Sequence, residues 1–380
     1  MSEKKAIRKG LVVLALFATL LVAGCGGGGG GGGGSSEGGG QSQASTHAYR
    51  RQPNQSKLVV YGWTAGDGML AARGSVATSN VTRNLAVRPD GRFLYLSNGG
   101  SVSAYRIDAA SGGLSYLADA DTNDDLGSVL MDGPGRFLFR VNANSTVTTF
   151  RIGADDGILS LVGDSPVTAT RLAADPAGRF LYATTPDKLV TYEIAADGTL
   201  APVSETPVSG ANVSFDTVAA DPKGQFVFAT IVDRQFGPGR HDFVAAFELD
   251  GATGALTNVD TVPTGRFPIA IAPAPDGGAI YVTSNDDNQV SAYRVDRSTG
   301  TLASAGSASG GGAPGELSLD PGGNFLYVDT GGGGAPGSGV LWADALATYA
   351  IDPATRSLTP LRTEQTLDFV GPPTFAGASQ

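Results

Sequence analysis

The chain has 380 residues, among them 56 glycines, 21 prolines and one cysteine. Glycine and proline make up about a fifth of it, below the ~25–30% of low-complexity chains, and 41% of residues are hydrophobic, enough for a sizeable core. Charged residues amount to 16% and lean acidic, 36 against 26, which excludes the basic face of a nucleic-acid binder. The lone cysteine excludes a disulfide framework and a cysteine zinc site.

Lys4, Lys5, Arg8 and Lys9 open the chain, and Leu11 to Val22 is apolar except for Thr19. As a helix that run spans only ~18 Å against ~30 Å of bilayer hydrocarbon, so it reads as a signal-peptide core. It ends in Val22-Ala23-Gly24-Cys25, which resembles the bacterial lipobox, where cleavage precedes the cysteine and the thiol is lipidated. The reading is therefore a signal peptide over residues 1–24, a Gly/Ser-rich tether over 25–45 and one folded domain over 46–380. Lipid attachment at Cys25 makes the membrane the first partner and the bacterial cell envelope the expected location. Gly26, where an aspartate would mark inner-membrane retention, leans it toward the outer membrane.

The remainder repeats. A turn–strand phrase occurs at Pro89-Asp90-Gly91-Arg92-Phe93-Leu94-Tyr95 and returns at Pro134, Pro176, Pro222, Pro275 and Pro321. The turn glycines lie 44, 43, 46, 53 and 46 residues apart, the length of a four-stranded propeller blade. A second phrase closes on Tyr105, Phe150, Tyr192, Phe247, Tyr293 and Tyr349, with a seventh copy at Leu58-Val59-Val60-Tyr61. Each leads through an acidic or glycine turn to a strand beginning near Leu70, Leu114, Leu159, Leu200, Leu256, Leu302 or Leu358. Each repeat thus holds strands A to D. His47–Arg51 is expected as strand B, and residues 369–377 as strand A, of a blade shared between the chain ends. The fold is an all-β, seven-bladed β-propeller of four-stranded antiparallel blades, closed by N- and C-terminal strands.

The Pro-Asp-Gly-Arg-Phe-Leu-Tyr phrase and Tyr281-Val282-Thr283-Ser284-Asn285 resemble the lactonase family of seven-bladed propellers over roughly residues 47–380. That family includes bacterial phosphogluconolactonase, fungal muconate-lactonizing enzymes and surface proteins with tyrosine-valine-threonine-asparagine repeats. The resemblance implies histidine, arginine and glutamate around the channel mouth.

Strand A is innermost in a propeller, so its opening residues face the channel. Seven positions before each turn glycine stand Asn84, Ser128, Arg171, Thr217, Ala270 and Glu316. Arg171 and Glu316 match the implied chemistry in type, whereas no histidine occurs at these positions. The spacing from strand-B to strand-C aromatic is 10, 11, 10, 19, 12 and 22 residues, so two B–C loops are extended. They carry Arg240, His241 and Trp342 to the face where the strand-A entries emerge, the expected ligand-binding face. His241 is the candidate proton carrier, beside Arg171 and Glu316.

Asp121–Asp125 and Asn285–Asn288 cluster oxygens, but in places where turns are expected and without EF-hand spacing. No metal or cofactor is implied. The missing channel histidine favours a monomeric module that binds a protein, glycan or small molecule, and lactone opening or closure is the alternative. For the anchor, metabolic labelling with a palmitate analogue is expected to mark the wild type and not Cys25→Ser. Equal labelling of both would remove the lipobox reading.

Overall fold

The computed structural model describes residues 47–52, 56–78, 82–122, 127–210, 212–235, 240–331, 345–365 and 370–376. Blade 1 joins β1 (His47–Gln52), β2 (Lys57–Trp63) and β3 (Leu70–Ala77) to the last strand, β28 (Val370–Phe375). Blade 2 holds β4 (Thr82–Val87), β5 (Phe93–Asn98), β6 (Ser101–Ile107) and β7 (Leu114–Asp121). Blade 3 holds β8 (Val129–Met131), β9 (Phe137–Val141), β10 (Val147–Ile152) and β11 (Leu159–Ser165). In blade 4 these are β12 (Arg171–Ala174), β13 (Phe180–Thr184), β14 (Lys188–Ile194) and β15 (Leu200–Pro207). Blade 5 comprises β16 (Val213–Ala220), β17 (Phe226–Asp233), β18 (Asp242–Leu249) and β19 (Leu256–Thr264). Blade 6 comprises β20 (Pro268–Pro273), β21 (Ala279–Ser284), β22 (Gln289–Val295) and β23 (Leu302–Ser309). Blade 7 is β24 (Pro314–Leu319), β25 (Phe325–Thr330), β26 (Ala345–Ile351) and β27 (Leu358–Gln365).

All pairings are antiparallel, and blade 1 runs in the order β28-β1-β2-β3. The chain ends therefore close the ring as the repeat count requires, which leaves no sheet edge at the seam. Strand B, as in Phe93–Asn98, is buried along its whole length because blades cover both of its faces, so it reads as a continuous apolar run. Strand D, as in Leu114–Asp121, is half exposed and alternates. In every blade the C–D register slips just before the second aromatic, for example between Ala104 and Tyr105, a bulge that increases blade twist.

The core consists of seven apolar layers, one between each pair of neighbouring blades among the described residues. The joints between them share one geometry. Gly157, in the C–D turn of blade 3, has φ +72°, and a Cβ there would lie 2.2 Å from the Phe93 ring of blade 2. Tyr95, two residues after Phe93, donates its hydroxyl to the Gly157 carbonyl at 2.9 Å. The same ring-on-turn contact pairs Phe137 with Gly198, Phe180 with Gly254, Phe226 with Gly300 and Phe325 with Gly68, while His47 takes the ring's place against Gly112.

One joint differs. Strand B of blade 6 begins with Ala279 where the others carry a ring, and the facing turn of blade 7 has Arg356 (φ +65°) where the others have glycine. The small residue and the large one are complementary, and Arg356 spends its charge on Asp276 of the adjoining turn. Gly157→Ala is expected to cost about 2–4 kcal/mol in urea unfolding, from left-handed strain plus overpacking. Ala279→Phe is expected to destabilise, and Arg356→Gly to recover much of that loss in the double variant; strictly additive losses would contradict the complementarity.

Candidate functional site

The first strands of the seven blades surround a central cavity of about 840 Å³. Asn84, Ser128, Arg171, Thr217, Ala270 and Glu316, the positions read from the repeat, all line it. On β28 the equivalent position is Pro372, and Gly371 beside it also lines the cavity. The φ of Gly371 is +77°, and a Cβ there would lie 2.9 Å from Arg51 Nη2 and 3.6 Å from Glu316 Oε2. Glycine at this position leaves the space through which Arg51, a strand-B residue, reaches the cavity beside Glu316.

Arg50 and Arg51 lie on opposite faces of β1 because strand side chains alternate. Arg50 is fully buried; its Nε donates to the Gly371 carbonyl at 3.0 Å and its Nη2 lies 3.5 Å from Asp329 Oδ1. Asp329 Oδ2 in turn accepts the Gly371 N–H at 3.1 Å. This clamp fixes the glycine. Burial lowers the Arg51 guanidinium from its ordinary value, with Arg50 adding to the effect and Glu316 and Asp329 opposing it.

A second charged cluster stands three blades away from Glu316. Arg171 opens β12 and is exposed to the cavity. Asp216 lies on the bulge of β16, where the register slips between Phe215 and Val218. Its carboxyl is raised by burial, with Arg171 and Arg240 opposing the shift and Asp242 adding to it. Asp242 is fully buried and accepts the N–H groups of Asp233 (2.8 Å) and Phe267 (2.6 Å) and the Nε of Arg240 (2.8 Å). Arg240 also lies over the Phe267 ring, 5.2 Å from its centroid, and Phe267 is exposed with φ +55°.

The structure thus divides the predicted site. Arg171 and Glu316 share the cavity but do not pair with each other; each sits with a different charged neighbour, Asp216 and Arg51 respectively. Arg240 is buried against Asp242 and spends its charge there. His241 is exposed next to it and lies outside the cavity lining. Trp342, Cys25 and part of Asp121–Asp125 lie outside the described residues. In the other acidic cluster, Asp287 is held by Arg266 at 2.7 Å and Asn288 takes a left-handed turn conformation. Sequence reasoning missed Arg51 and Asp216. Arg51 lies on strand B, which among the described residues reaches the cavity lining elsewhere only at Val141, and Asp216 stands one residue before the strand-A position that the repeat offset picks out.

The family model for the seven-bladed β-propeller lactonases matches residues 42–170 and 213–315, more than half of the chain. The chain belongs to the lactonase family. Arg51, Asn84 and Asp216 fall within the matched residues, whereas Arg171 and Glu316 each lie one residue beyond them. Among solved structures, a periplasmic gluconolactonase of Pseudomonas aeruginosa is similar at 22% identity and TM-score 0.69, covering 88% of this chain and 99% of that one. A candidate 6-phosphogluconolactonase of Bacteroides uniformis is similar at 18% identity and TM-score 0.70, covering 88% of this chain and 100% of that one. A protein of Lactobacillus plantarum matches with 19% identity and TM-score 0.70, over 88% of this chain and 99% of that one. At these identities the likeness is one of fold. No curated protein matches the chain.

Asp242 ties the Arg240 approach to the turn that enters blade 6. Asp242→Ala would orphan two backbone N–H groups and a buried guanidinium, and is expected to cost about 3 kcal/mol or more in chemical unfolding. A loss within ~0.5 kcal/mol would mean the cluster is not load-sharing.

Proposed function

We propose that this protein binds a small anionic hydroxy-acid lactone in its central channel and opens the ring by hydrolysis. One observation carries the reading: a cavity of about 840 Å³ is lined by two guanidinium groups, Arg171 and Arg51, and by the carboxylate of Glu316 beside Arg51. Guanidinium groups suit both a substrate carboxylate or phosphate and the oxyanion that forms when water adds to a lactone carbonyl. A carboxylate supplies the base that removes the water proton. Family membership supports the same chemistry. The lipobox reading places this activity in the cell envelope, and a fold relative named as a periplasmic gluconolactonase agrees with such a location.

A second reading, binding without turnover, is favoured by the histidines. His47 is buried on β1 and His241 lies outside the cavity lining, so neither serves the channel. Ring opening of five- and six-membered aldonolactones, with and without a phosphate, followed by acid release, separates the two. The wild type is expected to accelerate opening of at least one of them, and Arg171→Ala to lose ~100-fold or more in kcat/KM. Calorimetric binding of the open-chain acid without ring opening would establish the binding module instead. Undiminished turnover in Arg171→Ala would remove that arginine from the site.

A further inference from the structure

We infer that the substrate is an amphipathic lactone, with a carboxylate or phosphate on one side of the ring and an alkyl or aryl group on the other. Ile269 and Ala270 select for the apolar group; this narrows, and rests on, the lactonase reading of the channel. The seven walls of the cavity are not alike. Strand β20 runs Pro268-Ile269-Ala270-Ile271-Ala272-Pro273, and Ile269 to Pro273 all line the cavity without one polar side chain. Each of the other first strands brings at least one to the lining, at Asn84, Ser128, Arg171, Thr217, Glu316 and Thr374. Every first strand is paired on one edge only, so unpaired backbone groups are common to all seven and the side chains set this wall apart. Pro268 and Pro273 also remove two N–H donors from it.

Ile269 and Ala270 are open to a ligand. Ile271 packs into the apolar layer between blades 5 and 6, whereas Ile269 is half-buried and belongs to none of the seven layers. The outer edge of β20 is taken by β21, where Ala270 pairs with Thr283. Ala270 stands where blades 2 to 5 and 7 carry a polar side chain, and its single methyl leaves room for a substituent.

Blade order gives the wall its place relative to the charges. Blade 6 lies two blades from Arg171 in blade 4 and two from Arg51 in blade 1. A lactone spanning the two guanidinium groups therefore has β20 along one flank and Asn84 and Ser128, from blades 2 and 3, along the other. An aldonolactone turns hydroxyls to both flanks, and those against β20 would exchange water for methyl groups and stay unpaired. A methylene in the same place gains about fourfold for each CH₂ removed from water.

The test follows acid release by the full chain from γ-carboxy-γ-butyrolactone, its α-methyl and α-propyl derivatives, and gluconolactone. Each rate is divided by that of the same lactone without protein. Relative kcat/KM is expected to rise about threefold to fourfold per methylene along the series, and the propyl compound to exceed gluconolactone by ~10-fold or more. Ile269→Thr keeps the β-branch but replaces a methylene-bearing arm with a hydroxyl. It is expected to lose ~10-fold on the propyl compound while staying within about threefold on the unsubstituted one, and Ile269→Val to keep the rising series. Structural damage would lower both rates alike, so the propyl-to-unsubstituted ratio is the readout. Should Ile269→Thr fail to fold, Ala270→Ser is expected to flatten the series in the same way. A wild type inert on every compound overturns the lactonase reading and this inference with it. An active wild type with a flat series, or with gluconolactone preferred, overturns the inference and leaves the lactonase reading standing. A rising series that Ile269→Thr or Ala270→Ser leaves unchanged does the same.

Discussion

The ring depends on a contact made between neighbouring blades, in which the first ring of strand B rests on a left-handed turn of the next blade. The contact joins three requirements that are separate in sequence: a ring at the start of strand B, a residue able to take positive φ in the C–D turn, and, in several blades, a tyrosine two positions on whose hydroxyl closes the joint. A blade has no core of its own, since its two faces are apolar and each needs a neighbour. Closure through β28 and β1 therefore completes the last apolar layer and removes the last edge at the same point in the structure.

Packing through the flanks leaves the axis unfilled. The first strands cannot interdigitate there, so their opening residues are released from the apolar pattern and can carry charge. Charge near a low-dielectric wall must be paired or must shift, and both outcomes occur around the cavity. Arg240 and Asp242, like Arg50 and Asp329, are spent on holding loops and strand ends in place. Arg171 and Asp216 act on each other across space, and no hydrogen bond joins their side chains. The channel of this family member is thus an array of fixed charges on a rigid ring, which suits recognition of a small anion.

Much of the fold was legible in the sequence. The strands starting at Leu70, Leu114, Leu159, Leu200, Leu256, Leu302 and Leu358 begin where the turn residues place them, because a hairpin turn fixes register. The shared blade followed from counting seven C–D hairpins against six complete repeats. The cavity positions were legible for the same reason, as a constant offset from a turn. Legibility stopped where the period stopped. Arg51 enters the channel because Gly371 withdraws, and a residue made available by another residue's missing side chain leaves no pattern of its own. Asp216 stands one residue before the position that the constant offset selects, so an offset rule passes over it.

The sequence by itself determined the blade count, the strand boundaries, the closure and the channel-facing positions, since all of these are short-range consequences of turns and alternation. It also held the exchange of a ring for Ala279 and of glycine for Arg356, although nothing short-range links residues so far apart in the chain. Only the tertiary structure decided which charges meet. It placed Arg171 with Asp216 and Glu316 with Arg51, and turned Arg240 inward to Asp242. The reason is physical: electrostatic partnership falls off with distance through space, and distances across a ring are set by how blades pack and not by separation along the chain.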